Sequence, residues 1–158
     1  MDEVNVKGIY KDATVSDAFI KHCFNIFALY NQLTDQYGDN LNFLSKSDQA
    51  SFEDFPKPFP DAYLTLQTKG ETKHFFVDVL SNDAHLLIEA SKKIKRYFDY
   101  RQGGNWATSD SGFPAVLFVC NSESDCQKVQ RRCEIVLNKA WVGDVEFRVT
   151  TSDTVELN

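Results

Sequence analysis

Apolar residues recur at three- and four-residue spacing early in the chain: Phe19, Ile20, Cys23, Phe24, Ile26, Phe27, Tyr30 and Leu33. That period predicts an amphipathic helix, with Ser16 as its N-cap and Gly38 at its end. LNFLS (Leu41–Ser45) reads as a short strand, and residues 47–60 as a loop in which Pro56, Pro58 and Pro60 forbid regular structure. FPDAYLTLQTKGETKHFFVDV, residues 59–79, reads as a hairpin turning at Lys69-Gly70, because Gly supplies the positive φ that tight turns need. The nearly unbroken apolar run FFVDVL suits a central strand covered on both faces.

Asn82-Asp83 then opens a second helix, AHLLIEASKKIKRYFDYR, which stops before Gly103-Gly104. PAVLFVC (residues 114–120) is a buried strand by its apolar run and flanking turn residues. Ser122 caps a third helix through Lys139, with Cys126, Val129, Cys133, Val136 and Leu137 on one stripe. VEFRVT (residues 145–150) alternates and gives a last strand. Residues 1–15 have mixed polarity and little period, and read as a leader or linker before a single domain over residues 16–158. The order αβββαβαβ predicts an α/β fold with a mixed central sheet flanked by helices: an antiparallel meander, then a helical crossover to the fourth strand.

The hairpin poses a chemical question. Centring its turn on Lys69-Gly70 pairs Thr68 with Glu71 and sets Asp61 opposite Asp78 on the same face. Two like charges so placed destabilise a strand pair by roughly 0.2–1 kcal/mol. A divalent cation such as Mg²⁺, held by one or two carboxylates, is one way to make the arrangement worth keeping. The bland alternative is that Asp61 simply begins an exposed strand end. Asp78, inside an apolar run, is harder to explain that way, because a lone buried carboxylate is costly without a partner.

Composition narrows the function classes. The chain has 158 residues, 42% of them hydrophobic, enough for one folded core. Its net charge of −6 gives no global support to nucleic-acid binding, so any basic surface has to be local. One local excess exists, in the second helix: Lys92, Lys93, Lys95, Arg96 and Arg101. It reads either as a phosphate-binding face or as a solvated one, and Glu89 with Lys93 as a simple i,i+4 ion pair. No apolar run approaches the roughly 20 residues of a membrane helix and no signal segment opens the chain, so the expectation is a cytoplasmic protein with no membrane partner.

Cys23, Cys120, Cys126 and Cys133 lie in apolar-patterned segments without zinc-ligand spacing and read as buried thiols. His22, His74 and His85 read as surface or helix-face residues. Trp106 either plugs the core edge or stacks on a base.

The element order, with acids on the second and third strands, resembles the PD-(D/E)xK (restriction-endonuclease-like) nuclease fold. The motif is carried by Pro60-Asp61 and by Asp78 in FVDVL. The resemblance implies Mg²⁺ on Asp61 and Asp78, with Glu53 as a third carboxylate, and phosphodiester hydrolysis. The family's lysine position, two residues after the second acid, is Leu80 here. RecB-like members carry a Q-x-x-x-Y pattern on the following helix. KKIKRY places Lys93 and Tyr97 there, four residues apart on one face. The implied roles are charge stabilisation for Lys93 and phosphate orientation for Tyr97, with Lys92, Lys95, Arg96 and Arg101 binding DNA. The first helix offers no clear glutamate where many such nucleases have one.

The succession FIKHCFNIFALYNQL, FEDFPKPFPDAYLTL, HFFVDVL, KKIKRYFDY, FPAVLFVC is similar to the replication-relaxation family of mobile elements. Membership implies action on DNA in plasmid mobilisation or replication, with a relaxase as a possible partner. That family usually has an N-terminal winged-helix DNA-binding domain, with no counterpart before Ser16, so a short variant or a piece of a longer protein is expected. The alternative is a catalytically degenerate accessory module that binds DNA or a relaxase.

Overall fold

The computed structural model describes residues 16–81, 84–104, 106, 112–139 and 145–157. Helix α1 (Asp17–Tyr37) starts where the Ser16 hydroxyl accepts from the Phe19 amide and ends at Gly38, whose φ of 58° favours glycine. A 3₁₀ turn leads into β1 (Leu41–Ser45). A short helix, α2 (Lys46–Gln49), then departs from the expected loop. Its cause is a capping box: the Ser45 side chain takes the Asp48 amide while the Asp48 carboxylate takes the Ser45 amide.

Strands β2 (Ala62–Thr68) and β3 (Glu71–Val79) form the hairpin, with Gly70 at φ 86° in its turn. Helix α3 (Leu86–Gln102), β4 (Ala115–Cys120), helix α4 (Glu123–Lys139) and β5 (Phe147–Thr151) follow. The five strands lie in the order β1-β2-β3-β4-β5. The first three are antiparallel, and β3, β4 and β5 are parallel. The protein is thus α/β with a five-stranded mixed sheet flanked by helices. Asn82-Asp83 and the leader at 1–15 lie outside the described residues.

Alternation in the central strands sends side chains to both faces, and each face has its own core. On one face α3 and α4 bury Leu86, Ile94, Tyr97, Val129 and Cys133 against Tyr63, Phe76, Leu80 and Phe118. On the other, Leu29 and Leu33 of α1 meet Leu64, Phe75, Val77 and Leu117, and Val155 and Leu157 close that side. The α1 stripe is only partly used: Phe19, Ile20, Phe24, Phe27 and Tyr30 are exposed, Phe24 by 68%. Cys23, expected buried, is exposed on the same helix, because α1 turns Leu29 and Leu33, not its Cys23 side, to the sheet; the other three cysteines are buried. Trp106 joins the core edge, 5.3 Å from Phe76 and 5.7 Å from Phe55, ring centre to ring centre. Among the described residues no helix is long and apolar enough to cross a membrane.

Candidate acidic site and basic groove

The register Ala62↔Val77 through Thr68↔Glu71, carried one rung outward, sets Asp61 opposite Asp78. The pair is also tied by hydrogen bonds. The Val79 amide donates to Asp61 Oδ2 at 2.8 Å, and the Asp61 amide donates to Asp78 Oδ1 at 3.4 Å. Both aspartates are buried, on the face that α3 covers.

Buried carboxylates demand compensation, and here lysines supply it. Lys93 Nζ sits 3.1 Å from Asp78 Oδ1, and the Tyr97 hydroxyl donates to Asp78 Oδ2 at 2.6 Å. The i,i+4 spacing of Lys93 and Tyr97 brings both onto the same carboxylate, as expected of one helix face. Glu89 also approaches Lys93, at 3.8 Å, and is held by the Ser81 hydroxyl at 2.8 Å. Asp61 Oδ1 is met by Lys46 Nζ at 3.2 Å and His22 Nε2 at 3.1 Å. The two adjoining carboxylates are thus flanked by two ammonium groups, Lys46 on Asp61 and Lys93 on Asp78.

Lys46 and His22 were not anticipated from the sequence. Pairing Ser45 with Ala62 places residue 46 one rung on, beside Asp61, so the β1–β2 register carried the signal for Lys46. His22 is a helix-face residue, as its position suggested, but only the packing of α1 shows its tie to Asp61. Gln49 fixes the strand entry: its amide donates to the carbonyls of Leu44 at 3.3 Å and Pro60 at 3.1 Å.

The electrostatics follow from these partners. Burial raises the Asp61 pKa, but the His22 hydrogen bond, Lys93 and the Val79 amide outweigh it and bring it to about 2. For Lys93, burial favours the neutral amine, yet Asp78, Asp61 and Glu89 together raise its pKa above the ordinary lysine value. Burial, reinforced by Asp78, drives the Tyr97 hydroxyl well up, so it is a donor at neutral pH. Its buried position spends that donor on Asp78 rather than on a bound phosphate. Leu80, at the lysine position of the nuclease motif, is buried in the core under α3 and α4.

The other anticipated residues gather elsewhere. Glu53, Lys92, Lys95 and Arg96 line an open groove of about 850 Å³ between the 53–57 segment and α3. Glu53 shares no hydrogen-bond or ion-pair partner with Asp61 or Asp78 among the described residues. Arg101 lies outside this lining, with its guanidinium 5.2 Å from the Phe113 ring centre.

The donor set fits a hard divalent cation in kind: two adjoining carboxylates whose Oδ2 atoms each accept one protein hydrogen bond and keep a lone pair. It falls short in number, since no cluster of three His, Cys, Asp or Glu side chains able to hold a metal occurs among the described residues. Water and substrate phosphate would have to complete the shell, as is usual for Mg²⁺. No protein-family model, curated protein or solved structure matches the chain significantly.

Proposed function

We propose that the protein is a nuclease-like domain of the PD-(D/E)xK type that acts on DNA, in the cytoplasm and in a mobile-element setting such as plasmid mobilisation or replication. The observation that carries the reading is the Asp61–Asp78 rung, with Lys93 and Tyr97 of the next helix both on Asp78. The αβββαβαβ order, interrupted only by the short helix α2 between β1 and β2, and the mixed sheet agree with it.

Asp61 and Asp78 would hold Mg²⁺, which when bound supplies Lewis-acid charge at the scissile phosphate. Lys93 keeps its proton, because three carboxylates surround it, and so offers a fixed positive charge beside the reacting phosphate. Tyr97 positions Asp78, and Gln49 and His22 position Asp61. Lys92, Lys95 and Arg96 supply phosphate contacts from the groove.

A second reading is favoured by Leu80 in the core and by the protein donors already seated on all four carboxylate oxygens. It is a non-catalytic module that binds DNA or a relaxase. Incubation of purified protein with single- and double-stranded DNA in Mn²⁺ or Mg²⁺ separates the two. Cleavage that Asp78→Asn and Lys93→Ala both abolish supports the enzyme. Binding without cleavage of any form assigns the module.

A further inference from the structure

We infer that the groove between the 53–57 segment and α3 binds single-stranded nucleic acid, with a base stacked on Phe52. The inference deepens the DNA-acting reading above, on which it rests, by naming the form of the substrate.

The groove is lined by Lys57, Lys92, Lys95 and Arg96. Glu53, Asp54 and Asp99 line it too, so four cations against three anions leave a net charge of one. A duplex bound non-specifically depends almost wholly on phosphate neutralisation, and a net charge of one in a chain of −6 gives it little. A single strand has a second source of affinity, the exposed π-faces of its unpaired bases.

The matching surface lies at the groove's edge, where Phe52 precedes the lining residue Glu53 in sequence. Phe55 lines it, and Phe52 lies nearly parallel to Phe55, with ring centres 5.1 Å apart and planes 15° apart. Phe52 is 48% exposed. Exposure alone selects nothing, since Phe19, Phe24 and Phe27 are more exposed; Phe52 differs in being stacked on a ring of the groove wall. The platform is held from beneath, since Phe55 also packs on Tyr63, Phe76 and Trp106. The Tyr100 hydroxyl donates to the Asp54 carbonyl and fastens the segment to α3. Stacking on a ring so fixed carries little ordering cost. Lys92 is adjacent in sequence to Lys93, which holds Asp78, so a strand in the groove lies one helix face from the acidic pair.

The experiment measures fluorescence anisotropy of a labelled mixed-sequence 15-mer, single-stranded and annealed, with the 158-residue chain in EDTA at low salt. The single strand is expected to bind more tightly. Phe52→Ala should weaken it about tenfold, the lower part of the range for loss of one base stack, and change duplex binding less than twofold. Phe52→Trp should restore it. Lys57→Ala should reduce the dependence of log affinity on log salt by about 0.7 for the single strand. The melting curve of each variant checks that the fold is kept. Equal affinity for both forms, or equal losses on both from Phe52→Ala, overturns the inference while leaving DNA binding in place. Absence of binding to either form overturns it together with the DNA-acting reading.

Discussion

Asp78 takes its partners from a helix built into the core, whereas Asp61 takes its partners from side chains near the surface. Lys93 is only 15% exposed and Tyr97 is buried in the cluster that holds α3 to the sheet. Lys46, by contrast, is 56% exposed and His22 26%. The two acids share a rung, so backbone position is not what separates them. The difference lies in what must move to free an oxygen. Releasing Asp78 means moving groups anchored in α3, while releasing Asp61 Oδ1 needs rotations of the more exposed Lys46 and His22. Both acids are buried, but Asp78 is held by enclosed groups (the fixed side) and Asp61 by more exposed ones (the accessible side), so a cation, if one binds as proposed, would enter on the Asp61 side.

The largest expected effect tests the fixed side. Lys93→Ala leaves Asp78 buried with one cation fewer, and should cost roughly 3 kcal/mol in urea unfolding. Adding Asp78→Asn to that variant should recover much of the loss, because the uncompensated charge is gone. If Lys93→Ala costs no more than a surface change, the two sides are alike.

Acid should then weaken the accessible side. The folded Asp61 pKa of about 2 lies below the ordinary 3.8, so its contribution is complete above the ordinary value and is lost as pH falls toward 2. The shift corresponds to roughly 2 kcal/mol. Asp61→Asn should flatten the stability profile between about pH 4 and pH 2. Lys93 has the opposite sign: its raised pKa keeps its contribution present through neutral pH, lost only as pH rises past the lysine range. The window in which both ions stand is therefore broad.

Much of this architecture was legible in the residues. The turn at Lys69-Gly70 dictates the hairpin register, and a register carries every side chain with it, which is why the Asp61–Asp78 rung follows from one glycine. The Lys93–Tyr97 face follows from helical period alone. Partners from distant segments were not legible: His22 is 39 residues from Asp61, and nothing local encodes that approach. Lys46 was half legible, since Ser45 and Asp48 spell a capping box and the neighbouring strands set its rung. The exposure of Phe19, Ile20, Phe24 and Phe27 was illegible for another reason. Period shows that a helix has an apolar face, and not how much of that face its neighbours reach.

A divalent ion gives the next, smaller effect. An ion that binds only the folded chain, at ten times its dissociation constant, stabilises by about 1.4 kcal/mol. Millimolar Mn²⁺ should raise the Tm accordingly, and Asp78→Asn should erase the increment. An unchanged Tm in the unaltered protein would leave the rung as a purely structural ion-pair cluster.

The smallest effect is the most discriminating. Lys46→Ala removes a half-exposed ammonium from Asp61 Oδ1, and exposed ion pairs contribute at most about 1 kcal/mol and are screened by salt. Stability should fall by less than that, and by less still at high ionic strength. Asp61 keeps His22 and the Val79 amide, so its carboxylate stays charged and in place. A metal that approaches Oδ1 must displace both Lys46 and His22 in the unaltered protein and only the neutralisable His22 ring in the variant. Mn²⁺ should therefore produce a larger Tm increase in Lys46→Ala than in the parent, although the variant starts less stable. The corresponding change on the fixed side, Lys93→Ala, starts far lower because its lysine is enclosed. If Lys46→Ala instead lowers stability as much as Lys93→Ala, Asp61 is held as firmly as Asp78, and the accessible side of the rung does not exist.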